Sequence, residues 1–143
     1  MKALKTIKVG RKKISVYHEN FEYYQPNDHV CGDCSIRAVT KALGGIKWED
    51  ALTSLYNVAM KIKEAPTSRE AIGQLMKEQG WIWVGIKPNR GEKRPKVHEF
   101  AKNYKFGKYI LDLSGHVVAA ADGKYYDIWD CGDKSLYGYW AER

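Results

Sequence analysis

The feature that most restricts what this chain can fold into is Asp122-Gly123. It sits between the runs His116-Val117-Val118-Ala119-Ala120-Ala121 and Lys124-Tyr125-Tyr126-Asp127-Ile128-Trp129. Asp-Gly is a favoured pair for a two-residue type I′ turn, whose central residues both need positive φ. Such a turn sets the register: Ala121 faces Lys124, Val118 faces Asp127 and His116 faces Trp129. Side chains two apart on a strand share a face, so His116 and Asp127 become diagonal neighbours on one side of the hairpin. Asp130 has the other parity and points away. A histidine beside a carboxylate has its tautomer set by that neighbour, which makes it a candidate base.

A base needs a nucleophile, and the stretch Cys31-Gly32-Asp33-Cys34-Ser35-Ile36-Arg37-Ala38-Val39-Thr40-Lys41-Ala42-Leu43-Gly44-Gly45 supplies one. Gly32 makes a turn and Asp33 is a good N-cap. Ile36, Val39, Ala42 and Leu43 then fall at helical spacing, and Gly44-Gly45 ends the helix. A thiol on the first helical turn feels the positive end of the helix dipole, which favours the thiolate. Backbone N–H groups at such a terminus can also hold an oxyanion. Cys34 is therefore the expected nucleophile. Cys31 precedes the cap and gains less from the helix, and Cys131 follows the hairpin, its position relative to the site left open.

The remaining chain reads as the body around these two pieces. Ile7, Val9, Ile14 and Val16 flank Gly10-Arg11 in a short hairpin, and residues 21–29 read as irregular and aromatic. A helix over 48–63 presents Trp48, Leu52, Leu55, Tyr56, Ala59 and Ile62. A third starts at Thr67, paired with Glu70 as a capping box, and buries Ala71, Ile72, Leu75 and Met76. Residues 81–86 form a strand, 88–95 a charged loop expected to be mobile, 97–104 a short helix and 108–113 another strand. With 143 residues, 44% apolar, this is one domain with room for a core.

Composition narrows the function classes. The net charge is +7, but Lys and Arg are scattered, densest at 8–13 and 87–96, which argues against a nucleic-acid partner. No apolar run approaches the roughly 18 residues that would cross a bilayer, so no membrane association is expected. The N-terminus has charge without an apolar segment, and three cysteines form an odd set. Free thiols in a reducing cytoplasm are the expectation.

The order of cysteine on a helix, histidine on a strand and aspartate on the next strand resembles the papain-like cysteine peptidase superfamily. Cys31-Gly32-Asp33-Cys34-Ser35 is similar to the papain signature, with Asp and Ser at its variable places. Asp33-Cys34-Ser35-Ile36-Arg37-Ala38, Gly115-His116-Val117-Val118-Ala119, Gly123–Asp130 and Tyr137-Gly138-Tyr139-Trp140 resemble small papain-fold proteins of phages and bacteria. The likeness spans residues 27–140, leaving 1–26 as an N-terminal hairpin extension. It implies an α+β, papain-like fold with N-terminal helices packed on a small antiparallel β-sheet. It also implies Cys34 as nucleophile, His116 as base and Asp127 as orienting carboxylate, with Gln25 or Asn27 as the oxyanion side chain. Such chemistry cleaves a peptide or protein substrate at an amide, isopeptide or thioester bond, in the host cytoplasm if the chain is phage-encoded, and needs no cofactor and no metal.

Two other readings compete. Cys31-x-x-Cys34 has zinc-ligand spacing, and His29, His116 and Cys131 are available to complete a site. The same fold without catalysis would be a binding module that keeps these residues for packing. His18 and His98 read as surface residues, and Tyr125, Tyr137, Tyr139 and Trp140 as packing.

Overall fold

The computed structural model describes residues 2–27 and 32–143. Strands β1 (Lys5–Val9) and β2 (Lys12–Val16) pair antiparallel, Lys5 opposite Val16. The short β3 (Phe21–Tyr23) follows, then the helices α1 (Cys34–Ala42), α2 (Trp48–Ile62) and α3 (Arg69–Glu78). After β4 (Ile82–Gly85) and α4 (Val97–Asn103) come β5 (Lys108–Leu113), β6 (His116–Ala121), β7 (Lys124–Asp127) and β8 (Gly138–Ala141). The main sheet has the order β3-β7-β6-β5-β8-β4.

The mixed α+β class is as expected, but the sheet is not purely antiparallel. β3 pairs in parallel with β7, Phe21 opposite Tyr125 and Tyr23 opposite Asp127. Its three residues lie in a stretch that reads as irregular, because a strand this short is stabilised by its partner rather than by its own pattern. Residues 21–23 are thus part of the sheet, not of an appended hairpin.

β5 and β6 are buried on both faces, which explains their nearly continuous apolar runs. Ile110, Val117 and Ala119 face a core built with Ile36, Val39, Leu55, Ile72 and Met76 of the first three helices. Leu111, Val118 and Ala120 face the other way, against Val16, Phe21, Val97, Phe100 and Leu136. The helices therefore do not all lie on one side: α1, α2 and α3 share one layer, while α4 packs behind the sheet.

Local corrections have physical causes. α3 starts one residue later than its capping box implies: Ser68 is the N-cap, accepting from the Ala71 N–H at 3.1 Å. On α2 the buried stripe is Ala51, Leu55, Val58 and Ala59, and Tyr56 lies outside it, half exposed. A helix that packs on two neighbours selects small residues where the backbones approach, and Ala51 and Ala59 serve that need.

The hairpin forms as its turn demands. Asp122 and Gly123 have φ of 55° and 80°, and Ala121 faces Lys124, Ala120 faces Tyr125 and Ala119 faces Tyr126. Among the described residues, no helix is long and apolar enough to cross a membrane.

Candidate active site

Cys34 is the first residue of α1, and that helix is buried nearly all round, from Ser35 to Thr40. The expected cap is absent: Asp33 stands at the N-cap position without a side-chain bond to the helix. Its carboxylate instead accepts from Arg37 Nη1 at 2.5 Å and from Trp48 Nε1 at 3.0 Å. A buried guanidinium one turn on draws the carboxylate more strongly than a neutral backbone N–H.

Arg37 also donates through Nη2 to Asp127 Oδ1 at 2.8 Å. Asp127 ends β7, is fully buried, and accepts as well from the Ile128 N–H at 2.8 Å. Its other oxygen, Oδ2, lies 2.6 Å from His116 Nε2. The diagonal relation of His116 and Asp127 read from the turn is thus a direct hydrogen bond. With Nε2 held by the carboxylate, Nδ1 is the ring nitrogen left for the Cys34 sulfur. The ring of Trp129 lies against the imidazole, centroids 5.3 Å apart, although the ladder of β6 and β7 stops short of that residue.

The electrostatics follow from this chain of contacts. Burial pulls the His116 pKa down, but the hydrogen bonds to Asp127 and Cys34 and the charges of both outweigh it, raising the imidazole to about 9. Burial pushes the Cys34 thiol up. The hydrogen bond with His116, the Val117 backbone N–H and the charges of His116 and Arg37 more than offset it, so the thiol lies below its ordinary value. Both shifts favour a proton on the imidazole over one on the sulfur, and they belong to the pair rather than to either residue. A thiolate beside an imidazolium is an activated nucleophile with its acid in place.

Cys131 lies beneath the site, 1% exposed. Burial, then the charge of Asp127 and a hydrogen bond to it, drive this thiol far up. One ligand atom each of His116, Asp127 and Cys131 falls within 4.8 Å of the others. Among the described residues this group is one short of the four ligands of a structural zinc, and His116 and Asp127 are hydrogen-bonded to each other. Cys31 and His29, the other proposed zinc ligands, lie outside the described residues. Asp130 does point away: its Oδ2 accepts from the N–H groups of Tyr17 at 2.7 Å and His18 at 3.1 Å, and its Oδ1 from the Tyr125 hydroxyl.

A cavity of about 200 Å³ opens beside Cys34 and His116, between the N-termini of α1 and α3 and the turn from β5 to β6. Ser35, Arg69, Ile72, Asp112 and Leu113 are among its walls. Gln25 and Asn27 are not. Gln25 Oε1 accepts from the Asn27 N–H at 3.0 Å, which folds the pair into a local turn just ahead of residues 28–31.

Arg37 and Asp112 escaped the reading of the sequence, yet each left a signal. Arg37 interrupts the apolar stripe of a buried helix four residues after an aspartate, and Asp112 interrupts Ile110-Leu111-Asp112-Leu113. A charge inside an apolar periodicity has to find a buried partner. His18 and His98 are not simple surface residues: their rings stack 3.8 Å apart beside Asp133. No protein-family model matches this chain, and searches of curated proteins and of solved structures return no match.

Proposed function

We propose that this protein is a cysteine hydrolase of the papain-like kind, cleaving an amide, isopeptide or thioester bond in a peptide or protein through a thioester acyl-enzyme. The observation that carries this reading is a single imidazole that is hydrogen-bonded to a fully buried carboxylate, at 2.6 Å, and lines one cavity together with a helix N-terminal thiol of lowered pKa.

The chemistry follows the logic of nucleophile, base and orienting group. The Cys34 thiolate attacks the substrate carbonyl; a carbon–sulfur bond forms and the carbonyl π pair moves to oxygen. Backbone N–H groups at the start of α1 hold that oxyanion, with Gln25 or Asn27 the side chains that the resemblance assigns. The oxyanion collapses, the bond to the leaving nitrogen (sulfur, for a thioester) breaks, and His116 gives the leaving group the proton first taken from Cys34. The imidazole, now neutral, takes a proton from water. The hydroxide attacks the thioester and releases the acid and the thiolate. Asp127, itself held by Arg37, keeps Nε2 bonded and Nδ1 toward the sulfur throughout. Free thiols persist in the reducing cytoplasm, and that location belongs to this reading.

Alkylation with iodoacetamide at neutral pH, read site by site by mass spectrometry, tests it. Fast, selective labelling of Cys34 that is lost in His116→Ala is the expected result. Equal slow labelling of every cysteine would instead support a binding module without catalysis.

A further inference from the structure

Among the described residues, one buried side-chain polar atom lacks a hydrogen-bond partner, and it belongs to the cavity beside the nucleophile. Asp112 is 2% exposed and lines that cavity together with Cys34 and His116. Its Oδ2 is bonded to Arg69 Nη2 at 2.7 Å, whereas Oδ1 has no partner. Buried carboxylate oxygens are normally saturated, so an unsatisfied one on a residue that lines a cavity calls for a donor, and a ligand in that cavity is the nearest source.

The surroundings say what kind of donor. Ile72, Leu113 and Val117 make the adjoining wall apolar. The Ser35 hydroxyl is committed to the Thr67 carbonyl at 3.2 Å, so it does not serve Asp112. Arg69 offers only partial compensation, because its side chain is 65% exposed and its charge is shared with solvent. Burial outweighs the Arg69 pairing and pushes the Asp112 carboxyl up, so its charge is only partly compensated. A compact ammonium, which brings donors and positive charge together, satisfies such a group better than a neutral donor.

We infer that the cavity between α1, α3 and the β5–β6 turn is a specificity pocket, in which Asp112 anchors a primary ammonium of the substrate while its reacting carbonyl lies at Cys34. The inference rests on the proposed hydrolase reading and deepens it. The ammonium has two sources, the amino terminus of a peptide or a lysine side chain, and the same carboxylate would take either.

Two matched pairs of chloromethyl ketones separate the possibilities, each alkylating Cys34 with loss of chloride. Alanyl chloromethyl ketone against its N-acetyl form reports the terminal amine. N-acetyl-lysyl against N-acetyl-norleucyl chloromethyl ketone reports the side-chain amine. In the wild-type protein the amine-bearing member of one pair labels Cys34 about ten-fold faster or more, as one charge-assisted hydrogen bond predicts. In Asp112→Asn, an isosteric change, that ratio falls to within about two-fold of unity. Fast labelling with no amine preference in either pair, or a preference that survives in Asp112→Asn, overturns the pocket while leaving the activated thiol standing. Slow labelling by all four reagents and by iodoacetamide overturns both. The wild-type ratios decide the matter even if the variant does not fold.

Discussion

Two places among the described residues set histidine beside aspartate, and they shift an imidazole pKa in opposite directions. His116 meets Asp127, whose side chain is 1% exposed, and the Cys34 sulfur, and its pKa rises to about 9. His18 and His98 meet Asp133, whose side chain is 46% exposed, with Nε2 to Oδ1 distances of 3.0 and 3.9 Å. There burial and the neighbouring His18 together lower the His98 pKa. The shared His–Asp pairing is not what decides the sign: His116 also meets the Cys34 sulfur, whereas His98 meets a second imidazole. Asp127 is tied to a buried guanidinium and cannot be solvated, so its charge is spent on the imidazole. Asp133 faces water, which screens it, and two stacked rings cannot both hold a proton cheaply.

The contrast breaks most visibly through Arg37. Arg37→Met removes the cation shared by Asp33 and Asp127; buried Asp33 is left with Trp48 alone, and Asp127 with His116 and the Ile128 N–H. The expected cost is about 3–5 kcal/mol, read as a lower midpoint in urea unfolding. A loss near zero would mean that the network does not organise the site.

Next in size is the loss of the imidazole itself. In His116→Ala the thiol returns toward an ordinary value, where only about 3% is thiolate at pH 7. Alkylation of Cys34 should slow on the order of ten- to thirty-fold, whereas His98→Ala should leave its rate within about two-fold.

Titration sharpens the same comparison. Ring-proton NMR should give His116 a midpoint near 9 and His98 one below 6.5. The linked stabilities have opposite signs. For His116 the folded value lies above the unfolded one, so its contribution is full below about 6.5 and is lost as pH rises through about 9. For His98 the folded value lies below, so its contribution is present above about 6.5 and is lost as pH falls through the lowered value. Coincident midpoints for the two rings would remove the distinction.

Asp133→Asn should matter least, below about 1 kcal/mol in the same unfolding assay, as expected for a half-exposed pair. A cost as large as that of Arg37→Met would make the stacked pair a structural centre of equal weight.

Much of this was legible in local pattern. Asp122-Gly123 set the hairpin register, and with it the side on which His116 and Asp127 meet. The spacing of Ile36, Val39 and Ala42 placed Cys34 at a helix start, and the boundaries of α2, β5 and β6 lie within a residue or so of their periodicities. What depended on a distant partner was not legible. β3 exists because β7 accepts it in parallel, and Asp33 abandons its cap because Arg37 and Trp48 offer more.

The sequence by itself therefore determined the reactive groups and the two local frames that carry them, since turns and amphipathic helices are dictated by residues a few positions apart. The tertiary structure alone decided that α1 lies across the end of the hairpin and that Arg37 bridges Asp33 to Asp127. It also decided that Asp112 closes a cavity beside the sulfur with one oxygen unsatisfied. The reason is burial. A charge drawn into the interior takes whatever partner the packing brings, and that partner is set by how layers meet rather than by spacing along the chain.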